Sequence, residues 1–244
     1  MMANCSLPPS LDRWQQTLNW QPTPHQHQQF QQLYAAILVG NRQFNLTRIT
    51  EPDDFWEKHL WDSLAGIRSL LSETAPQRVI DMGTGAGFPG LPIAIANPTW
   101  IVTLVDSTRK KIQFLEGVIQ QLSLGNVSTI VGRAEQMGHA PPHREAYDLA
   151  VIRAVATAPI CAEYLLPLVK VGGFAILYRG QWSEREQNAL TAPLELLGGS
   201  LERVEAFQTP LTHGVRHCLL LRKDKPTPDR FPRGVGIPAQ KPLG

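Results

Sequence analysis

The sequence contains no long uninterrupted apolar run. Its aliphatic residues come in short stretches that glycine, proline and charged residues separate. A helix that spans a membrane needs roughly 18 to 20 consecutive apolar residues. The first residues also lack the basic segment and apolar core of a secretory signal. We therefore expect a cytoplasmic protein with no membrane partner.

Cysteine is scarce, and its spacing disfavours two kinds of small scaffold. The three cysteines, Cys5, Cys161 and Cys218, are far apart and form no CxxC pair. A structural zinc site and a disulfide framework both need clustered or paired cysteines. We expect no metal site. Because Cys161 and Cys218 lie in apolar surroundings, we expect both to be small buried residues.

A large excess of charge of one sign is also missing. The formal net charge is +2, which is too small to indicate a nucleic-acid partner. The charge is unevenly distributed, however, because residues 211–244 carry seven basic and two acidic side chains. Two interpretations of this basic, proline-rich end stay open: a contact with phosphate and a solvated tail.

The spacing of the apolar residues changes near residue 73. Before it, apolar residues recur at three- and four-residue intervals near 11–18, 25–39 and 55–71, which predicts helices. After it, short apolar runs alternate with helical patterns. The seven runs are residues 78–82, 101–106, 127–132, 147–153, 173–179, 201–207 and 217–223.

This alternation is typical of an α/β protein with a mostly parallel sheet and helices on both faces. The last two runs have no helix between them, which favours an antiparallel pair at one edge. We predict a helical segment over residues 1–72, a Rossmann-like domain with a seven-stranded sheet over 73–223, and a basic tail over 224–244.

A glycine-rich turn follows the first strand, in VIDMGTGAGFPGLPIAIA (79–96). Gly83, Gly85 and Gly87 allow a tight turn and a close approach of the backbone to a ligand. The helix that follows presents free amides at its start. Asp106 ends the second strand, where a carboxylate can accept hydrogen bonds from ribose hydroxyls. Together these features predict a nucleotide-containing cofactor.

Asp81, two residues before the first glycine, favours one class of cofactor. A dinucleotide site surrounds a pyrophosphate with hydrogen-bond donors, and a carboxylate there would repel it. The same carboxylate suits an ammonium and a sulfonium, which favours S-adenosylmethionine and the class I methyltransferase version of the fold. A turn or helix-capping role for Asp81 stays open, as does a nicotinamide-dependent oxidoreductase.

A third acidic residue supports the same pocket. Glu135 follows the third strand in the segment GRAE (132–135). We expect this loop to lie beside the point where the strand order of the sheet reverses, in register with Asp81 and Asp106. An acid or a backbone amide there can hydrogen-bond to the edge of an adenine.

Several segments of the chain resemble the RsmG (GidB) family of bacterial 16S rRNA methyltransferases, from about Asn45 to Lys223. The matching segments are NLTRI (45–49), HLWDSL (59–64), DMGTGAGFPGLPIAI (81–95), LVDSTRKKIQFL (104–115), GRAE (132–135), IRAVA (152–156), LYRG (177–180) and RHCLLLRK (216–223). The resemblance implies transfer of a methyl group from S-adenosylmethionine to N7 of one guanine in the 530 loop, position 527 in standard rRNA numbering.

The resemblance also implies which residues form the site. The residues that it places at the cofactor are Gly83, Phe88, Ala134, Glu135 and Arg153, with Asp106 at the ribose. Arg48, His59, Arg153 and Arg179 are the candidates that position the RNA, and Arg230 and Arg233 are weaker candidates. Arg179 stands where the family has a lysine, and the two side chains present their donors differently. An alternative for His59 is a buried histidine on the apolar face of its helix, with both ring nitrogens hydrogen-bonded within the protein.

N7 of guanine carries a lone pair and no proton, so we expect no catalytic acid or base. The expected partner is 16S rRNA, within the 30S subunit or a precursor, and the expected state is a monomer. Two other functions stay open: a methyltransferase for a small molecule, and an RNA-binding assembly factor that holds the cofactor without turnover.

Overall fold

The computed structural model describes residues 6–8 and 11–244; Cys5 lies outside these residues. All seven predicted strands are confirmed. Their bounds are β1 Arg78–Met82, β2 Ile101–Asp106, β3 Val127–Val131, β4 Tyr147–Arg153, β5 Val169–Arg179, β6 Gly199–Gln208 and β7 Val215–Lys223.

The strands form one sheet in the order β3-β2-β1-β4-β5-β7-β6. The first five in this order are parallel, and β7 lies antiparallel between β5 and β6. The predicted antiparallel pair at the edge is therefore confirmed. The order of the strands reverses between β1 and β4, and in such sheets ligands bind beyond the carboxyl ends of the strands at this point.

The helices cover both faces of the sheet. They are α1 Leu11–Leu18, α2 Pro24–Phe44, α3 Pro52–Phe55, α4 Asp62–Ala65, α5 Gly90–Ala96, α6 Arg109–Gln121, α7 Ala134–Met137, α8 Ala158–Leu165, α9 Glu184–Leu197 and α10 Ile237–Gln240. A π-helical turn, Trp56–Trp61, joins α3 to α4, and a short 3₁₀ helix spans Arg68–Leu70.

The amino-terminal helices share a hydrophobic core with one face of the sheet. Trp14, Phe30 and Phe55 are buried in the same cluster as Leu104 and Val151 from the strands. The helix predicted over 55–71 differs from the observed one, which begins at Pro52 and ends at Ala65. Its π-helical turn changes the angular spacing of the side chains, which the regular apolar spacing of the sequence does not reveal.

The second face of the sheet packs against α8, α9 and part of the C-terminal segment, which we define as residues 224–244. Phe231 of this segment is buried in the cluster with Leu165 and Leu194. Cys161 and Cys218 are buried and free, as predicted. No helix in the described part of the chain is long and apolar enough to cross a membrane. The division of the chain at residues 72 and 223 stays a prediction.

Candidate functional site

The glycine-rich turn crosses the carboxyl end of β1. Gly83 and Thr84 both donate their backbone N–H to the carbonyl of Val105 on β2, at 2.8 and 2.9 Å. Gly83 has a φ of +75°, and a Cβ atom on it would lie 2.7 Å from Cγ2 of Val155. Because the turn has a left-handed φ and no room for a side chain, this position requires glycine.

Asp81 is engaged by the turn itself. Its side chain is fully buried, and its Oδ2 accepts hydrogen bonds from Thr84 Oγ1 at 2.6 Å and from the N–H of Gly90 at 2.8 Å. Its Oδ1 has no hydrogen-bond partner among the described residues. Burial raises the pKa of Asp81 to about 6. These contacts match the alternative of a turn acid that ties the glycine turn to α5.

A pocket lies at the carboxyl ends of β1, β2 and β3, and we call it the Asp106 pocket. It encloses ≈ 460 Å³, including open space at its mouth. Its lining residues are Met82, Gly83, Asp106, Ser107, Gly132, Arg133, Ala134, Glu135, Val155 and Tyr164. The pocket thus brings together four of the residues that the sequence indicated for the cofactor: Gly83, Asp106, Ala134 and Glu135.

Two backbone N–H groups fix the carboxylate of Asp106. Gly85 donates to Oδ2 at 3.0 Å, and Thr108 donates to Oδ1 at 2.8 Å. Asp106 is almost buried, and Lys111 Nζ lies 3.6 Å from Oδ2. Each carboxylate oxygen accepts more than one hydrogen bond, so Asp106 retains acceptor capacity for hydroxyl groups of a ligand.

Glu135 lies on the opposite wall of the Asp106 pocket. It is 4% exposed, and its Oε1 accepts a hydrogen bond from the N–H of Gly236 at 2.9 Å. Tyr164 Oη lies 3.5 Å from the same oxygen. Oε2 of Glu135 forms no hydrogen bond within the part of the chain that the structure describes. The sequence did not indicate the contact with Gly236, because no local pattern relates residues 101 positions apart.

A second pocket, the Arg153 pocket, lies beside the first. It encloses ≈ 890 Å³, including open space at its mouth. Its lining residues are Ile49, Lys58, His59, Asp62, Arg153, Ala154, Tyr178, Arg179, Gly180 and Arg216. Three of the predicted RNA-positioning residues line it: His59, Arg153 and Arg179. Lys58 and Arg216 were missed, although both lie in or beside segments that carry the family resemblance.

Arg153 joins the end of β4 to the helical turn at Lys58–Asp62. Its Nη1 donates to the carbonyl of Lys58 at 2.9 Å and to Asp62 Oδ2 at 3.0 Å. Its guanidinium also lies 5.6 Å from the centre of the Phe88 ring. Burial raises the pKa of Asp62, and the charges of Arg153 and Arg216 oppose that shift. Arg153 therefore forms an ion pair inside the protein, at the boundary of the pocket.

His59 is a buried histidine whose two nitrogens are both engaged. Nδ1 lies 3.2 Å from Nη2 of Arg153, which can only donate, so Nδ1 is the acceptor. Nε2 then carries the proton and donates to Thr47 Oγ1 at 2.9 Å. The ring stacks on Phe88, with the centroids 4.3 Å apart. Burial and the charge of Arg153 lower the pKa of His59 to about 3.

This low pKa predicts a dependence of stability on pH. Between pH 6.5 and about 3 the unfolded chain binds a proton at His59 that the folded chain does not. The free energy of unfolding therefore falls as the pH falls below 6.5, with a slope from this residue of about 1.4 kcal/mol per pH unit. Urea unfolding at pH 7, 6 and 5 measures the slope.

The variant His59→Gln isolates this contribution, because glutamine keeps an acceptor and a donor but does not titrate. We expect a smaller pH dependence for His59→Gln than for the wild type, and no change for His25→Gln on the exposed surface. Equal slopes for His59→Gln and the wild type would show that His59 takes up its proton at the same pH in the folded and the unfolded chain, which contradicts the low pKa.

Arg179 and Arg48 differ in their surroundings. Arg179 is mostly buried, and its Nη1 donates to the carbonyl of Ala156 at 2.7 Å. Its Nε is buried and has no hydrogen-bond partner among the described residues. Arg48 is exposed and lies next to Ile49 at the edge of the Arg153 pocket. Both are therefore placed beside the pocket, Arg179 in its wall and Arg48 on the adjacent surface.

A single loop separates the two pockets. Val155 lines the Asp106 pocket, whereas Arg153 and Ala154 line the Arg153 pocket. Ala154 has a φ of +56°, a conformation that alanine rarely adopts and that is common at functional sites. This backbone turn directs the loop across Gly83. A molecule in one pocket can thus meet a molecule in the other at this loop.

The remaining predicted residues support the site from outside the pockets. Gly85 donates to Asp106, and both Gly85 and Gly87 have a positive φ. Phe88 is buried, and its ring packs between His59 and Phe55. Gly87 and Phe88 line neither pocket; their contacts organise the turn and its packing against the amino-terminal helices.

Comparison with known proteins shows which protein family has a similar sequence. A family model described as GidB, rRNA small subunit methyltransferase G, matches residues 26–217. "Ribosomal RNA small subunit methyltransferase G" of Nostoc punctiforme is 58% identical over 97% of this chain and 98% of that protein. The protein of the same name from Trichodesmium erythraeum is 54% identical over 97% of this chain and 94% of its own length.

Solved structures agree on the fold. A 16S rRNA (adenine(1408)-N(1))-methyltransferase mutant from Catenulisporales acidiphilia, with its cosubstrate SAM, has a TM-score of 0.51 at 18% identity, over 66% of this chain and 91% of that one. M. jannaschii TYW2 in complex with AdoMet has a TM-score of 0.50 at 18% identity, over 64% and 72% of the two chains.

Proposed function

Because the chain belongs to the rRNA small subunit methyltransferase G family, we propose that it methylates N7 of a guanine in the 530 loop of 16S rRNA, position 527 in standard rRNA numbering. The coarser activity follows from the family: the chain is an S-adenosylmethionine-dependent rRNA methyltransferase. The observation that carries the finer proposal is the pair of adjacent pockets, one acidic and one basic, that meet at the loop Arg153–Val155.

The Asp106 pocket fits S-adenosylmethionine. Asp106 has free acceptor capacity for ribose hydroxyls, and Oε2 of Glu135 is an acceptor for the exocyclic amine of adenine. Gly83 lines the pocket without a side chain, so that its backbone faces the proposed cofactor. Asp81 supports this arrangement indirectly, since its hydrogen bonds hold the turn in place.

The Arg153 pocket fits the nucleotide that is methylated. Arg179 and Arg216 lie in its wall, with Lys58, and Arg48 lies on the surface beside it. Arginine and lysine side chains bind phosphates and so position RNA without specifying its sequence. His59 forms the floor as a neutral group, and its contacts match a core histidine whose hydrogen bonds are satisfied. We assign it a supporting role rather than a direct contact with RNA.

The chemistry needs little from the side chains. When bound, S-adenosylmethionine supplies an already activated methyl group. N7 of guanine has a lone pair and no proton, so no residue has to act as a general base. The chain has to hold the guanine beside the Asp106 pocket in the correct orientation, and such alignment lowers a barrier by several kcal/mol, about 7 to 11 at most. The guanine has to leave its stack to enter.

Both pockets lie within one chain, which supports a monomer as the proposed state. We also propose that the chain acts in the cytoplasm, together with its proposed rRNA substrate. The open Arg153 pocket suits a base presented by folded RNA, within the 30S subunit or a precursor, better than a small molecule that needs enclosure.

Methyl transfer to defined RNA tests the proposal. The enzyme is incubated with labelled S-adenosylmethionine and 30S subunits from a strain that lacks the native modification. Chain cleavage specific for N7-methylguanosine then locates the label. We expect one cleavage site, at the 530-loop guanine, and a parallel incubation with naked 16S rRNA shows which substrate is preferred.

The control is 30S subunits that already carry the modification, which should accept no label. Label at another nucleotide would support the methyltransferase activity and contradict the proposed target. Absence of label from any RNA, with cofactor binding intact, would favour a small-molecule substrate or an assembly factor.

A further inference from the structure

The C-terminal segment is folded onto the body of the protein. Phe231, Pro232 and Pro238 are buried, and Phe231 packs into the core on one face of the sheet. The segment is therefore not a free tail, although three of its basic side chains, Lys225, Arg230 and Lys241, are exposed. The segment runs past α8, reaches the Asp106 pocket at Gly236 and ends beside α9 at Gly244.

Hydrogen bonds fix the first part of the segment. Lys223, at the end of β7, is fully buried and donates to the carbonyl of Leu166 at 2.6 Å and pairs with Glu145 at 3.1 Å. Arg144 donates to the carbonyls of Thr227 and Phe231 at 2.6 and 2.9 Å. These contacts lead the chain from β7 towards α8.

An ion pair fixes the middle of the segment. Arg233 Nη2 donates to Glu163 Oε2 at 2.7 Å, and Arg233 Nε donates to Oε1 at 2.9 Å. The backbone N–H of Arg233 donates to Oε1 as well, at 2.8 Å. Glu163 is fully buried on α8, immediately before Tyr164, which lines the Asp106 pocket. A buried pair with two parallel hydrogen bonds restricts the geometry more than a single contact does.

The last contact reaches the pocket itself. Three residues after Arg233, the N–H of Gly236 donates to Oε1 of Glu135 at 2.9 Å. Gly236 has a φ of +84°, which glycine adopts without strain. With Oε1 bound to the segment, Oε2 is the oxygen of Glu135 that remains for a ligand.

We propose that the C-terminal segment orients Glu135 for recognition of the adenine amine, with Arg233 and Gly236 as positioning residues. This inference rests on the proposed location of the cofactor in the Asp106 pocket. Arg233 fixes the segment on Glu163, the segment places the N–H of Gly236, and that N–H fixes the carboxylate of Glu135. Neither positioning residue touches the cofactor.

Loss of this support leaves the Glu135 carboxylate free to rotate. A hydrogen bond to a charged group changes affinity by about tenfold or more when it is lost. We therefore expect Arg233→Met to raise the Kd for S-adenosylmethionine by about tenfold. The matched control, Lys241→Met, removes the same charge from an exposed position of the same segment, and it should leave the Kd within about twofold.

Isothermal titration of the full chain with S-adenosylhomocysteine and S-inosylhomocysteine is the test. The second probe has an oxo group in place of the adenine amine. We expect the wild type to bind the adenosyl compound more tightly than the inosyl compound, and Arg233→Met to lose most of that preference. If Arg233 only stabilised the fold, the preference would stay the same. In methyl transfer with varied cofactor concentration, we expect the KM for S-adenosylmethionine to rise for Arg233→Met, and kcat, read at saturating cofactor, to stay within about twofold of the wild type.

A second variant covers the case in which Arg233→Met does not fold. A chain that ends after Gly234 keeps the ion pair with Glu163 and loses the N–H of Gly236. It should show the same weakened binding and the same loss of preference.

Glu135→Gln separates the inference from the function on which it rests. If Glu135→Gln leaves cofactor binding unchanged while Asp106→Ala weakens it, the pocket is correct but the contact of Glu135 with the adenine, and with it the inference, is overturned. If both variants bind like the wild type, the proposed location of the cofactor is wrong. If Glu135→Gln weakens binding while a folded Arg233→Met and the shortened chain bind like the wild type, the pocket is correct and the positioning role is overturned.

Discussion

Asp106→Ala is expected to raise the Kd for S-adenosylmethionine by about 100-fold or more. The carboxylate accepts hydrogen bonds from Gly85 and Thr108, and in the proposed complex it also accepts them from the ribose. Alanine removes all of these contacts, and each hydrogen bond to a charged group contributes about 1.5 to 3 kcal/mol. Isothermal titration with S-adenosylmethionine measures the change.

Asp12→Ala is the control, because Asp12 is exposed on α1 and should leave the Kd unchanged. Thermal unfolding of both variants shows whether the fold is intact. A folded Asp106→Ala variant that binds the cofactor as tightly as the wild type would place the cofactor elsewhere in the molecule.

Arg153→Met is expected to lower the free energy of unfolding by about 3 kcal/mol. Arg153 donates hydrogen bonds to Lys58, His59 and Asp62. Methionine fills much of the same space but leaves the buried carboxylate of Asp62 without its nearest cation, and removing one partner of a buried ion pair typically costs about 3 to 5 kcal/mol. Chemical denaturation at pH 7.5 measures the loss.

The double variant Arg153→Met/Asp62→Asn tests the cause. Because the neutral amide no longer needs a cation, we expect the double variant to be more stable than the sum of the single changes predicts. Arg109→Met, on the exposed start of α6, is the matched control. Strict additivity would show that Arg153 and Asp62 do not depend on each other.

The sheet could be predicted from the sequence because its signal is local. Each strand is a short apolar run. Either the alternation of apolar and polar residues or an unbroken apolar stretch is visible within a few residues. The edge pair β6 and β7 was also predictable, since only a short loop joins them. The glycine turn and Asp106 were predictable for the same reason, because a strand, a turn and a helix follow one another directly.

The contacts that complete the site could not be predicted from local pattern. The bond between Glu135 and Gly236 joins residues 101 positions apart, and the bond between Arg153 and Asp62 joins residues 91 positions apart. Charge alone left two interpretations of the basic end open, a contact with phosphate and a solvated tail, whereas Arg233 pairs with a buried glutamate. Whether Asp81 meets the cofactor or holds the turn depends on burial, which a single sequence does not specify.

In the proposed complex the cofactor lies in the Asp106 pocket and the RNA enters the Arg153 pocket. A crystal structure of the full chain with S-adenosylhomocysteine tests it most directly. We expect ribose hydroxyls within hydrogen-bond distance of Asp106 and the adenine amine at Glu135 Oε2, with the N–H of Gly236 still bound to Oε1. A ligand that lies between Arg153, Arg179 and Arg216 instead, with the Asp106 pocket empty, would contradict it.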